Sequence, residues 1–380
     1  MSKKKYCSLG FMSGTSMDGV DASLIISDGY DDIEFLDNIY SKFPEGLYLE
    51  LVELRSKIQN YEDINENINK INKIERELTL FHAEIVQKLK RDRKIDLIGF
   101  HGQTIFHNLE KKISKQIGNG NLLAQLTKNK VVYDFRKNDL ENGVQGAPLT
   151  PIFHNLISKK ILHIQESKNQ IIIFLNIGGI SNLSIIRSDK NFNLDELEGY
   201  DIGPGNCLID NWVRNNSKLQ FDKNGKVASC SNINQIILNQ AIDNIEIDIK
   251  QSLDVSDFDI SFARGLSFEE GCATISELTG YLISKGIEKS IKSFHDKQVI
   301  CVICGGGRKN NFLINSIKKN IQLSQEIIIK KIDEFNMDGD FIESQAFGYL
   351  AIRSYLNLPI SFPKTTRCKN PVSGGMVVEN

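Results

Sequence analysis

The sequence has no long hydrophobic run. No stretch approaches the roughly 18 apolar residues that a membrane-spanning helix needs, which argues against such a span. The basic start, Met1 to Lys5, is like the head of a signal peptide. Gly10, Ser13, Gly14 and Ser16 then break the apolar segment, and Asp18 follows, so no secretory core is expected. Neither charge sign is in excess: 46 Lys and Arg stand against 48 Asp and Glu, a net charge of -2. That balance argues against nucleic acid or an anionic membrane as the main partner, since both call for a strong basic excess. The seven cysteines are odd in number and scattered, which fits reduced thiols in a cytoplasm better than a disulfide framework. There is no second Cys or His pair near Cys301 and Cys304, so buried strand thiols are expected there rather than zinc. A Gly-Lys-Ser/Thr phosphate loop is absent, and so is any Gly-x-Gly-x-x-Gly fingerprint.

What is present is a globular composition, 41% hydrophobic and 25% charged over 380 residues. At roughly 100–200 residues per domain this length predicts two domains. Strand patterns fall at Tyr6 to Met12, Val20 to Ser27 and Ile33 to Phe43. A helical period follows from about Glu45 to Arg93, with Ile64, Ile68, Ile71, Ile74, Leu78 and Phe81 recurring at three and four. The Asn-rich stretch 60–72 keeps that period and reads as a solvated helix face. Further strands are expected at Ile95 to Phe100, Ile113 to Ile117 and Val131 to Tyr133. The continuous apolar runs Ile171 to Leu175 and Val299 to Cys304 predict strands buried on both faces. Leu183 to Ile186 forms a returning strand. Helices are expected from near Cys207, through much of Ile233 to Ser293, and over Ser344 to Tyr355, with a loop-like tail from Pro359. The starts at Tyr6 and Ile171 resemble each other: an apolar strand enters a Gly/Ser/Thr/Asn turn and returns as a second strand. This predicts a duplicated domain rather than a dinucleotide-binding βαβ unit, where a helix follows the first turn.

Three strand-end loops could cradle phosphate through small residues, hydroxyls and amide N–H groups. The first is Gly14, Thr15, Ser16, Met17, Asp18, Gly19, Val20 and Asp21, where Asp18 or Asp21 could hold a metal that bridges phosphates. An ordinary Asp-Gly hairpin turn accounts for the same residues. The second is Asn176 to Asn182, with Gly178 and Gly179. The third is Gly305, Gly306 and Gly307, leading into a helix. Asp201 stands before Gly203-Pro204-Gly205, which suits either a positioned general base or a helix-capping residue. Arg136, close to Asp134 and Asp139, could fork onto a carboxylate or phosphate, or pair with either Asp. His101 with Gln103 and Thr104 suits a hydroxyl-rich ligand, although a lone histidine is commonly structural.

Taken together, Gly10 to Asp21, His101 to Thr104, Asp134-Phe135-Arg136, Gln145 to Leu149, Asn176 to Asn182, Asp201 to Asn206, Cys304 to Gly307, Ser361 to Thr366 and Gly374-Gly375 resemble the anhydro-N-acetylmuramic acid kinases over nearly the whole chain. Val144 and Arg367 depart from that family, which usually has Gly at both places. The resemblance implies an α/β, two-lobed actin-like ATPase fold of the hexokinase and sugar-kinase kind, with a duplicated core and a cleft between lobes. The expected lobes are 1–135 plus 345–380, and 136–344. It implies phosphorylation of 1,6-anhydro-N-acetylmuramate by ATP, with water opening the anhydro ring, in peptidoglycan recycling in the bacterial cytoplasm. ATP and Mg2+ would be held by Gly14 to Asp21 from one lobe and by Asn176, Gly178, Gly179 and Gly305 to Gly307 from the other, with Asp18 toward the metal. Asp201 would be the base. His101, Gln103, Thr104, Asp134, Arg136, Asp139, Gln145, Gly146, Ala147 and Pro148 would form the sugar side. The partners expected are these small molecules and a second copy of the chain, with no nucleic acid or membrane. A conventional sugar kinase and a non-catalytic actin-like nucleotide binder remain the alternatives. A metal-dependent hydrolase is disfavoured, because the six histidines are dispersed.

Overall fold

The computed structural model of the chain describes residues 3–14, 16–91, 93–108, 113–165, 170–188, 192–245, 253, 255–294, 297–323 and 326–379. The chain divides into two units: Met1–Lys160 with Asn193–Leu197 and Phe341–Asn380, and Ile161–Phe192 with Glu198–Asp340.

In the first unit, β1 (Tyr6–Met12), β2 (Gly19–Ser27) and β3 (Ile33–Lys42) form an antiparallel meander. β4 (Leu97–Phe100) then runs parallel to β1. A small hairpin, β5 (Gln103–Asn108) and β6 (Ile113–Ile117), precedes β7 (Lys130–Tyr133), which is parallel to β4. The helices between them are α1 (Glu45–Lys57), α2 (Tyr61–Glu66), α3 (Ile68–Lys90) and α4 (Gly120–Thr127). The helical region expected over Glu45 to Arg93 is thus divided into three helices. Asn60 ends the continuity, because its side chain accepts the Asp63 N–H while the Asp63 carboxylate accepts the Asn60 N–H, a reciprocal cap that starts α2. On α3 the apolar stripe Ile71, Ile74, Leu78, Ile85 and Val86 is buried against Leu9, Phe11 and Phe100 of the sheet.

In the second unit, β8 (Gln170–Ile177), β9 (Ile180–Arg187) and β10 (Glu198–Pro204) repeat the meander, and β11 (Gln298–Cys304) and β12 (Ile327–Lys331) repeat the parallel strands. The sheet orders are β3-β2-β1-β4-β7, extended by β13 (Met376–Val378), and β10-β9-β8-β11-β12. The two cores therefore share one topology, the duplicated core of the actin-like ATPase fold. Every residue of β8 is buried, as a strand flanked on both edges and covered on both faces requires.

Between these strands lie α5 (Lys137–Glu141), α6 (Pro151–Gln165), α7 (Cys207–Asn216), α8 (Gln235–Asn244), α9 (Phe268–Ile291), α10 (Asn311–Asn320) and α11 (Ile342–Tyr355). The last of these lies directly on the first sheet: a Cβ at Gly10 would come within 2.0 Å of the Ser344 carbonyl, and one at Gly99 within 2.2 Å of that of Phe347. The division of the chain at Lys160 falls later than the expected 135/136. Residues 136–148 stay with the first unit because Arg136 bonds His101 and Asp139 bonds Thr366.

Candidate functional site

In the first unit, β1 delivers a tight turn. The Met17 N–H closes it on the Gly14 carbonyl at 3.2 Å, with Met17 in the left-handed region. Ser16 donates to the Asp18 carboxylate, and both are exposed. Asp18 also raises the Tyr40 hydroxyl well above its ordinary pKa, behind burial as the larger cause. Thr15 lies outside the described residues. The remaining loop residues split by role. Met17 and Val20 turn their side chains into the core, so neither presents a side chain to a ligand. Gly19 is required by packing, since a Cβ there would lie 2.6 Å from both the Ser41 carbonyl and the Tyr40 ring. Among the described residues a Cβ at Gly14 would meet only Ser16 Oγ at 3.7 Å, so they give its glycine no packing reason. Gln103 joins this loop from β5: its amide donates to the Gly14 carbonyl at 3.1 Å, while its buried Oε1 has no partner among the described residues. Asp21 sits half-buried on β2.

Several of the residues expected on the sugar side form one network in the same unit. Arg136 donates from Nε and Nη2 to His101 Nε2, at 3.3 and 3.1 Å, and from Nη1 to the Gly146 carbonyl at 2.8 Å. His101 Nδ1 lies 2.9 Å from the Gly102 carbonyl, and its ring stacks on Phe347 with centroids 4.5 Å apart. Burial, and then the Arg136 charge, push the His101 pKa down to about 3, so the ring is neutral and accepts from Arg136. His101 is only 4% exposed, and both its nitrogens are engaged. It therefore orients Arg136 rather than meeting a sugar itself.

Asp139 is also turned inward, at 1% exposure. Its Oδ2 accepts the Gly146 N–H at 2.6 Å and its Oδ1 accepts the Thr366 hydroxyl at 2.8 Å. Burial raises its pKa against these hydrogen bonds. Gln145, Gly146, Ala147 and Pro148 are held by this brace, with the Gln145 N–H on the Thr366 carbonyl at 3.1 Å. Arg367 adopts φ +69, which explains why glycine suits that position. Asp134, at φ +53, ends β7 with a carboxylate whose pKa burial raises. Thr104 accepts from Gln116 of β6 at 3.1 Å.

In the second unit, the loop Asn176 to Gly179 and the run Gly305 to Gly307 are stacked on each other. A Cβ at Gly305, itself at φ +77, would lie 2.4 Å from Asn176 Oδ1, and one at Gly307 would lie 2.2 Å from Ile177 Cγ2. Gly306 meets nothing within 4 Å and Gly178 nothing closer than 3.5 Å. Of the expected nucleotide glycines, these two have an open face, and Gly305 and Gly307 serve the packing that creates it. The N–H groups of Gly205, Asn206 and Cys207, at the start of α7, close on the Gly178 and Gly179 carbonyls at 2.7–3.2 Å.

Asp201 lies on β10, opposite Asn182 of β9, beside a bulge. The capping alternative fails, because Asn206, not Asp201, occupies the N-cap of α7. The half-buried Asp201 carboxylate accepts the Leu253 N–H at 2.8 Å.

Sequence reasoning gave no role to three residues. Glu343, at the start of α11, feels the Arg136 charge while burial raises its pKa. Thr366 braces Asp139 across 227 positions. Arg308 is buried beside the glycine run. Arg308 had a local signal as the residue directly after Gly307, and Thr366 as the end of the Ser361 to Thr366 motif; Glu343 had none. Among the described residues no three His, Cys, Asp or Glu side chains cluster as a metal cage, and no helix is long and apolar enough to cross a membrane.

The model of the anhydro-N-acetylmuramic acid kinase family matches residues 6–248 and 256–380. The anhydro-N-acetylmuramic acid kinase of Pelagibacter ubique is 49% identical over 383 residues, covering 100% of both chains. That of Agrobacterium fabrum is 35% identical over 97% of this chain and 98% of its own. Among solved structures, the ROK hexokinase from Thermus thermophilus aligns over 92% of this chain and 99% of its own, at 13% identity and a TM-score of 0.37.

Proposed function

The chain belongs to the anhydro-N-acetylmuramic acid kinase family, and from that premise we propose how its residues divide the reaction. It is an ATP-dependent kinase whose sugar substrate is 1,6-anhydro-N-acetylmuramate. Asp201 takes a proton from a water that attacks the anomeric carbon. The bond from that carbon to the bridging oxygen breaks, and the freed oxygen receives the γ-phosphoryl of ATP. Water, sugar and ATP thus give N-acetylmuramate 6-phosphate and ADP, with the proton leaving through Asp201.

The observation that carries this assignment is the contrast between two carboxylates. Asp139 is 1% exposed and turned inward onto Gly146 and Thr366, whereas Asp201 is only half-buried and is oriented by the Leu253 N–H. A base needs a carboxylate that is oriented yet reachable by water, and Asp201 meets that requirement. Gly14 and Ser16 serve the phosphates of ATP, and Gly178 and Gly306 give its remainder a close approach. Arg136, held by His101 and Gly146, serves the sugar together with Gln103, Thr104, Asp134 and the loop 145–148.

Magnesium neutralises developing phosphate charge when bound. The exposed Asp18 suits it, because Mg2+ prefers one or two carboxylates plus phosphate oxygens and water to an all-protein cage. We place the enzyme in the bacterial cytoplasm as a homodimer. All seven cysteines are free, with Cys230 exposed, which supports a reducing compartment. Sedimentation tests the dimer.

The function is tested by incubating the protein with ATP, magnesium and the anhydro sugar and weighing the product by mass spectrometry. A gain of phosphate and water together is expected. Phosphate alone would indicate a conventional kinase and remove Asp201 from its role toward water.

A further inference from the structure

Arg308 follows the glycine run directly, and none of the chemistry above uses it. Its side chain is 3% exposed, which for a cation costs several kcal/mol unless every N–H finds a partner. Four of its N–H groups have hydrogen-bond partners, and Asp338 lies 3.6 Å from Nη2. Nε and Nη2 fork onto the two oxygens of Asp333 at 2.7 and 3.0 Å. Nη1 donates to Asp340 at 2.7 Å and to the backbone carbonyl of Gly305 at 3.1 Å. The loop 338–340 fits flat against the guanidinium: a Cβ at Gly339 would lie 2.3 Å from Nε. One planar group therefore fixes the first carbonyl of the glycine run to the segment after β12. With Gly305 fixed and Gly307 seated on Ile177, the orientation of the open residue between them, Gly306, is determined.

We propose that Arg308 is a positioning residue for the nucleotide: its fork on Asp333 and Asp340 holds the Gly305 carbonyl so that Gly306 presents its open face to ATP. This rests on the reading of Gly305 to Gly307 as part of the ATP site. The planar fork is what the position demands, and a lysine, with a point charge on a flexible stem, cannot hold two carboxylates and a carbonyl in one plane.

Arg308→Lys keeps the charge, and the test measures ATP affinity by calorimetry alongside KM for ATP and for the anhydro sugar. The expected result is a loss of ATP affinity of about ten-fold or more, the scale of a charge-assisted hydrogen bond, with the sugar KM little changed. A merely structural role would lower thermal stability and leave that split absent. Asp340→Asn loosens the same clamp at a half-exposed carboxylate and carries the same expectation, should the lysine variant not fold. Unchanged ATP affinity in a folded variant, or equal losses for both substrates, overturns the proposal. Gly306→Val separates it from its premise. If the valine variant also keeps full ATP affinity, the glycine run is not in the nucleotide site. If the valine variant loses ATP and the lysine variant does not, only the role of Arg308 fails.

Discussion

Replacing Asp201 by Asn isolates proton transfer from everything else the residue does. In the native chain one carboxylate oxygen accepts the Leu253 N–H at 2.8 Å. The amide of the Asp201→Asn variant has a single oxygen, and the Leu253 N–H fixes where it goes. The amide NH2 then takes the place of the other carboxylate oxygen, and an amide, unlike a carboxylate, cannot accept a proton from water. The fold is expected to be retained, because the bond to Leu253 survives and the N-cap position of α7 is Asn206, not Asp201. The loss falls on the chemical step: removal of a general base typically costs on the order of 10²–10⁴ in rate, about 3–5 kcal/mol of barrier. We expect kcat to drop by that factor while KM for ATP and for the sugar stays near wild type.

The assay follows ADP release and sugar mass together, with Asp139→Asn as the control. There the new amide oxygen can keep the Gly146 N–H, and its NH2 can donate to the Thr366 hydroxyl, which turns from donor to acceptor. The control should therefore remain active. An Asp201→Asn enzyme that keeps more than about a tenth of the wild-type rate, well short of the expected general-base loss, beside a dead Asp139→Asn enzyme, would refute the assignment.

Other outcomes follow from the same contacts. Asp139→Ala strands the Gly146 N–H and the Thr366 hydroxyl in the interior, and urea unfolding should show a loss of about 2–4 kcal/mol. Burial foremost, and Asp222 against the pull of Arg214, raises the Asp210 pKa from 3.8 to about 6. A raised folded pKa means that the contribution of Asp210 is fully present below pH 3.8 and is lost as pH rises through about 6. Asp210→Asn should therefore match wild type in thermal stability near pH 3.5 and exceed it by roughly 2–3 kcal/mol at pH 8. Gly305→Ala forces a side chain into φ +77 and within 2.4 Å of Asn176 Oδ1, so its melting temperature should fall clearly. Gly14→Val meets no such obstacle within the chain and should fold normally while losing ATP affinity in calorimetry; unchanged affinity would remove this loop from the site.

The central strands were legible in the sequence because burial on both faces demands an unbroken apolar run, and Ile171 to Leu175 and Val299 to Cys304 leave little else to be. The two matching starts, at Tyr6 and Ile171, likewise announced two sheets of one topology. The strand-end glycine loops and Asp201 stand out in the sequence, since small residues at strand ends and a carboxylate before Gly-Pro-Gly are local patterns. The role of each residue within a motif was not legible. Met17 looks like a loop residue in the sequence, and only packing against the first core showed that its side chain points inward. Local order could not separate Gly305 and Gly307 from Gly306, because the obstacle is Asn176 and Ile177, well over a hundred residues earlier. The same holds for the two aspartates. The sequence reading placed Asp201 as the base and Asp139 on the sugar side, but their burial depends on contacts far along the chain: Thr366, 227 positions from Asp139, and the Leu253 N–H, 52 from Asp201. Backbone periodicity is set by neighbours in sequence, so the sequence carries it. Burial and hydrogen-bond occupancy are set by neighbours in space, so the tertiary structure alone decided which carboxylate remains accessible to water.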